Sequence, residues 1–393
     1  MNKKALQADI LLLLTAAIWG FGFVAQRSGM QYIGPFAFNG IRFILGSLFL
    51  LPFIFFYRNL AFLKNRCKQL NSSNQFNSSA QPAGYVLKKI ILPCFVIGSI
   101  LFIAVMIQQI GIIFTTAGNA GFITGLYVIL TPFFGIFLGR KTGFPTWIGS
   151  ILTLTGLYFI SAAGTPGYIN PGDVLIIISA FFWTAHVLLI DRLMYVKAKD
   201  DYLKESNLND NHSKDDHPKD YHPIDPLVLS VGQFVICAVL SLIGAFVVEP
   251  FFVNIIEKLN PLLVDSGLFS WLPFPDLISK PEGITILFSI DAVIPILYGG
   301  LGSVGIAYTL QVVAQRDAPP AHATIILCFE GCFAALGGML LLAEKAGAWT
   351  LFGFAFMLGG MLATQWDVFR RNRVHDASKE NQAGYRKFRN SKV

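Results

Sequence analysis

The chain has 393 residues, 54% of them apolar and only 13% charged, with a mean hydropathy of +0.58. Soluble proteins carry about 25% charged residues, so this composition excludes an ordinary soluble domain and defines a polytopic membrane protein. The net charge of +7 does not point to nucleic acid, because the basic residues cluster beside apolar segments, where they set topology.

Ten apolar segments follow one another, at approximately 9–26, 35–57, 90–113, 117–138, 145–163, 172–194, 226–248, 286–313, 319–343 and 348–369. Each approaches the roughly 20 residues a helix needs to cross about 30 Å of hydrocarbon. Lys3 and Lys4 ahead of the first leucine run raise the question of a signal peptide. No small-residue cleavage site follows, and the segment's pattern recurs later, so it reads as a spanning helix. Residues 64–85 are rich in Asn, Ser and Gln. Residues 195–224 read as a disordered cytoplasmic loop, too poor in apolar surface to fold. His212, His217 and His222 in that loop stand among aspartates, where a solvated linker is the better reading than a weak metal site. The segment 249–285, with Trp271, Pro273 and Pro275, suits the headgroup region. Residues 370–393 form a basic cytoplasmic tail. Cys67, Cys94, Cys237, Cys328 and Cys332 form no C-x-x-C pair and imply neither a disulfide framework nor a zinc site.

Basic residues orient the chain. With the N-terminus inside, 25 of the 30 Lys and Arg fall on the cytoplasmic side and four outside, while Arg42 lies within the second segment. Both termini are therefore expected in the cytoplasm, and the sequons at Asn71, Asn77 and Asn211 lie on the side where they have no meaning.

The chain repeats itself. Ala16-Ala17-Ile18-Trp19 returns as Ala180-Phe181-Phe182-Trp183, and Pro35-x3-Asn39-x2-Arg42-Phe43 as Pro226-x3-Ser230-x2-Gln233-Phe234. Ala104-x3-Gln108 returns as Ala307-x3-Gln311, and residues 117–137 match 319–339 loosely, setting Thr131-Pro132 opposite Glu330-Gly331. The expected fold is an all-α polytopic bundle of two five-helix repeats, 9–163 and 172–369. Five is odd, so the copies enter the membrane in opposite senses. Inverted repeats of this kind place a site near the midplane at their interface.

Polar residues inside spanning segments are the candidates for that site. Glu330 is foremost, because a carboxylate at mid-bilayer costs about 2.5–3.5 kcal/mol on insertion scales and normally faces a cavity. It is either a proton or substrate site or a packed, hydrogen-bonded carboxyl. Arg42 is a fixed cation that binds a substrate carboxylate, pairs with a helix end, or snorkels to a membrane face. Trp19 and Trp183 form either a stacking wall or helix packing. His186 has the chemistry of a proton relay, but a lone His on an apolar face is more often a hydrogen-bonded core residue. Gln108, Gln311, Asn119 and Gln233 line a cavity or bridge helices, the latter worth about 0.6 kcal/mol each. Glu249, Asp291 and Glu344 lie near helix ends, where water reaches them.

These motifs together resemble the EamA-type, ten-helix permeases of the drug/metabolite transporter superfamily. The carrying residues are Trp19-Gly20, Pro35-x6-Arg42-Phe43, Thr124-Gly125-Leu126-Tyr127-x3-Thr131-Pro132, and Ala318-x11-Glu330 with Leu341-Leu342-x-Glu344. The chain departs from the pattern where Arg140 ends the fourth segment early and where Gly331 replaces a common proline. The resemblance implies a central cavity and the carriage of small metabolites, often outward, across a bacterial plasma membrane. The function expected is a secondary transporter of an amino-acid-like or amphiphilic small molecule, without cofactor or catalysis, its partners being that substrate and the lipid bilayer. The other classes weighed are an intramembrane enzyme, which lacks H-E-x-x-H and G-x-S-x-G motifs, and a non-transporting scaffold. No Walker motif supports ATP-driven pumping. The glycines Gly118, Gly121 and Gly125, and Gly299, Gly300 and Gly302, suit packing within one molecule or in a homodimer alike.

Overall fold

A computed structural model describes residues 3–69, 90–139, 142–162, 171–207, 225–250, 290–342 and most of 348–366. Among these residues the secondary structure is helical throughout. Eight helices of 21–25 residues are long and apolar enough to span a bilayer, since 22 residues at 1.5 Å each reach about 33 Å. We number the helices α1 (Lys3–Gly29), α2 (Pro35–Gln69), α3 (Leu92–Ile113), α4 (Ala117–Thr124 and Tyr127–Phe137), α5 (Phe144–Ala162), α6 (Pro171–Asn207), α7 (Pro226–Val247), α8 (Ile290–Ala314), α9 (Pro320–Leu327 and Phe329–Leu341) and α10 (Leu351–Ala363), all but α5 and α10 being of spanning length. The all-α, multi-pass fold read from the sequence is thus borne out.

Several elements differ from expectation. Helix α6 runs on to Asn207, into the stretch read as a loop from 195. A helix already nucleated propagates through polar residues more readily than one starting there. Residues 208–224, and with them the three loop histidines, lie outside the described residues. So do most of 64–85 and of 249–285, Glu344, and the tail from 370.

More consequential are the interruptions. Helix α4 breaks at Gly125–Leu126 and α9 at Cys328, where continuous helices are expected from hydropathy alone. The middle of α8, Tyr298–Tyr308, winds as a π-helix, a form that is rare and concentrated at functional sites. In lipid backbone groups at a break need partners: the Gly125 carbonyl accepts from the Val128 N–H at 3.0 Å and from the Cys328 thiol of the other break at 3.3 Å. Pro132 inside α4 removes the N–H that the Val128 carbonyl would accept, and the Ser150 hydroxyl on α5 donates to that carbonyl instead, at 3.2 Å.

Contacts between the two repeats are reciprocal. Helix α1 packs on α8 and α9, while α6 packs on α3 and α4; α2 and α7 pack on each other. Residues matched in the repeat meet their own counterparts: the rings of Trp19 and Trp183 lie 6.2 Å apart and those of Phe43 and Phe234 5.9 Å apart. At the α5–α10 crossing, a Cβ on Gly156 would lie 2.5 Å from the Gly353 carbonyl, and one on Gly360 2.6 Å from that of Gly149. The α4 and α9 breaks adjoin, and the side chain that meets Glu330 across them is Tyr127.

At the end of α7, the half-buried Glu249 accepts a hydrogen bond from the Ala37 N–H (3.1 Å) and so satisfies an orphan donor of α2. Burial pushes its carboxyl above the usual carboxylate range, and the Ala37 and Phe36 N–H groups offset this only in part. An acid with a raised folded-state pKa holds its proton better folded than unfolded. Its contribution is therefore full below the ordinary carboxylate range and is lost as pH rises through the raised value. Glu249→Gln is expected to flatten the dependence of unfolding temperature on pH on the acid side of neutrality. A slope equal to the wild type's would dismiss this account of Glu249.

Candidate functional site

The π-helical centre of α8, the breaks in α4 and α9, and the middles of α1, α2, α3 and α6 converge on one pocket. It is lined by Trp19, Phe23, Gln26, Arg42, Gln108, Thr124, Tyr127, Trp183, Val187, Ser303, Tyr308, Gln311, Leu327 and Glu330. Its open volume is only about 30 Å³. A single water needs about 10–15 Å³ of such space, so the pocket holds one or two waters and no organic molecule. This conformation is closed around its polar groups.

Glu330 lies in the first turn of the second half of α9 and is 3% exposed. The Tyr127 hydroxyl, from the first turn after the α4 break, donates to its Oε1 at 2.8 Å. This bond joins the two breaks a second time, beside the Cys328–Gly125 contact. Nearby, the Gln108 amide donates to the Thr124 hydroxyl, which donates in turn to the Ala120 carbonyl, each at 2.8 Å.

The other wall is aromatic. Tyr308 lies edge-on to Trp19 at 4.7 Å and nearly parallel to Trp183 at 6.0 Å. Trp19 Nε1 donates to the Ser303 carbonyl at 3.3 Å. The Trp183 Nε1 and both amide atoms of Gln311 are buried without a partner. Among pocket residues these are groups that only a ligand or water can satisfy.

Arg42 is 1% exposed, its Nε has no partner, and among the described residues no ion pair involves it. Its guanidinium carbon sits 5.3 Å from the Phe43 ring centre and 5.6 Å from that of Phe38. This burial rules out the snorkelling alternative. Cation–π contacts soften the cost of the charge by about 0.5–2 kcal/mol each, against a desolvation penalty of several kcal/mol per ion.

Of the sequence candidates, Glu330, Arg42, Trp19, Trp183, Gln108 and Gln311 line the pocket together. His186, Gln233 and Asn119 do not. His186 is fully buried behind Trp183, its Nε2 2.9 Å from Gln233 Oε1, and Asn119 sits in the first turn of α4 with its N–H on the Thr116 hydroxyl. Sequence reasoning passed over Tyr127, Tyr308, Gln26 and Ser303. Two of these had a signal: Gln26 is seven residues from Trp19 and Tyr308 three from Gln311, spacings that share a helix face. Tyr127 stood in the Thr124–Pro132 motif without a role, and Ser303 had no signal, because only the α4 break and the π-turn bring them to the pocket.

A bundle of membrane-length helices around a buried polar pocket, with broken helices meeting at it, is the build of a membrane transporter. Residues 6–162 match the EamA-like transporter family, the family that the motifs resemble. A protein from Archaeoglobus fulgidus described as an uncharacterized transporter is 32% identical over 188 residues, which make up 48% of this chain and 50% of that protein. A protein of known crystal structure shares the fold with a TM-score of 0.58, covering 92% of this chain and 98% of its own at 14% identity.

Proposed function

We propose that this protein is a secondary transporter that carries a small, amino-acid-like or amphiphilic organic metabolite, outward, by alternating access. The two repeats lie inverted in a bacterial plasma membrane with both termini in the cytoplasm. The observation that carries the reading is the Tyr127–Glu330 bond, which ties a broken helix of one repeat to a broken helix of the other across a closed polar pocket. Rocking one repeat against the other opens the pocket to one face and then to the other. The reciprocal packing supports a twofold relation, and five helices per repeat turn that twofold into an inversion. Glu330 takes a proton, or the cationic group of the substrate, in one facing state and gives it up in the other.

The test is counterflow in proteoliposomes. Vesicles loaded with one unlabelled metabolite at a time are diluted into a trace of the labelled compound. A carrier produces a transient accumulation for at least one metabolite, which empty liposomes do not. If amino acids, organic acids, amines and amphiphilic drugs all fail to give accumulation in vesicles that retain folded protein, the transporter reading is wrong.

A further inference from the structure

The two halves of the bundle differ at two neighbouring pairs of matched positions, and one member of them, Arg42, lines the pocket. Three residues after Trp19 stands Gly22; three residues after its counterpart Trp183 stands His186. In the second repeat His186 is fully buried and lies 2.9 Å from Gln233, the counterpart of Arg42. That half carries an imidazole paired with an amide. In the first repeat the matched place holds a glycine and a buried guanidinium whose Nε has no partner.

The space at Gly22 is bordered by the pocket's own polar groups. The atoms nearest to a Cβ built there are Gln26 Nε2 and Ser303 Oγ, each at 3.8 Å, and Tyr298 at 3.9 Å. Gln26 Oε1 is also buried without a partner. Arg42 borders the same stretch of α8, its Cδ 3.4 Å from the Cβ position of Gly299. We propose that this space is an anion subsite: Arg42 binds a carboxylate or like oxyanion of the carried molecule, and Gly22 sets specificity by keeping the space open. The aromatic wall of Trp19, Trp183 and Tyr308 then covers the molecule's apolar part. The subsite deepens the carrier reading and rests on it for the molecule being cargo. Reading the second repeat as its filled version explains why one twofold-related fold has one cationic site and not two.

Calorimetry on the full chain, in nanodiscs of neutral phosphatidylcholine so that no lipid anion competes, tests this with three probes that share one ring: phenylacetate, phenethylamine and phenylethanol. Phenylacetate is expected to bind more tightly than the other two by about tenfold or more, the scale of a hydrogen bond to a charged group. Arg42→Gln, which copies Gln233, should remove that preference, and Arg42→Lys should keep part of it. Gly22→Ala should weaken phenylacetate binding severalfold while leaving the unfolding temperature unchanged, since its Cβ meets only ordinary contacts. Should Arg42→Gln fail to fold, Gly22→Ala decides. Failure of the wild type to bind phenylacetate, a preference for the amine, or wild-type binding in both variants would each overturn the subsite. Binding without counterflow of any metabolite would leave the subsite standing and remove the carrier. Counterflow with an unchanged KM in Arg42→Gln would do the reverse.

Discussion

Glu330→Gln is expected to bring flux driven by a pH gradient down to background in proteoliposomes, with the protein still folded and inserted at wild-type levels. Glutamine keeps the side chain's shape and can still accept from the Tyr127 hydroxyl, which now stands 2.8 Å from Oε1, but it cannot exchange a proton. The substitution therefore removes the chemistry and spares the joint between the two helix breaks. Tyr127→Phe does the opposite. It leaves the carboxyl able to titrate and deprives it of a donor, at a cost of about 1–3 kcal/mol for a buried acceptor left unmet. We expect it to lower both stability and flux without abolishing either. If Glu330→Gln carries substrate down a pH gradient as the wild type does, Glu330 is a structural residue and coupling lies elsewhere.

Gly20→Ala is expected to destabilise the protein strongly, and Gly22→Ala, two residues on, hardly at all. A Cβ on Gly20 would lie 2.3 Å from Phe333 Cβ, 2.7 Å from the Glu330 carbonyl and 2.9 Å from the Ala334 nitrogen. Two of those three atoms are backbone, so no rotamer change relieves the clash and α1 must move off α9. Overpacking of this kind costs about 1–3 kcal/mol or more. The displacement falls on the turn that carries Glu330, so flux should drop as well. Thermal unfolding in one detergent, at one scan rate, compares the two variants. Equal transition temperatures would mean that α1 and α9 do not approach so closely.

The large elements were legible because their causes are local. Long apolar runs report membrane helices whatever surrounds them, and among the described residues each of the ten runs holds a helix, eight of them of spanning length. Repeat signatures such as Trp19/Trp183 and Ala104-x3-Gln108 against Ala307-x3-Gln311 were legible too, since matched residues keep matched surroundings. The aim of a polar side chain was not. Gln108 and Gln233 look alike in sequence, yet one lines the pocket and the other holds His186 behind it. Choosing between them needs the rotation of each helix about its axis, which neighbouring helices set.

The sequence by itself determined a multi-pass, all-helical membrane protein, the places of its apolar helices and the presence of a carboxylate and a guanidinium inside them. These follow from transfer of side chains to lipid, a property each segment carries alone. Only the tertiary structure decided that α4 and α9 break, that α8 loosens into a π-helix, and that Tyr127 is the partner of Glu330. A backbone can leave the α-helix in lipid only where another chain segment satisfies the groups set free, and that segment is chosen by packing across the repeats.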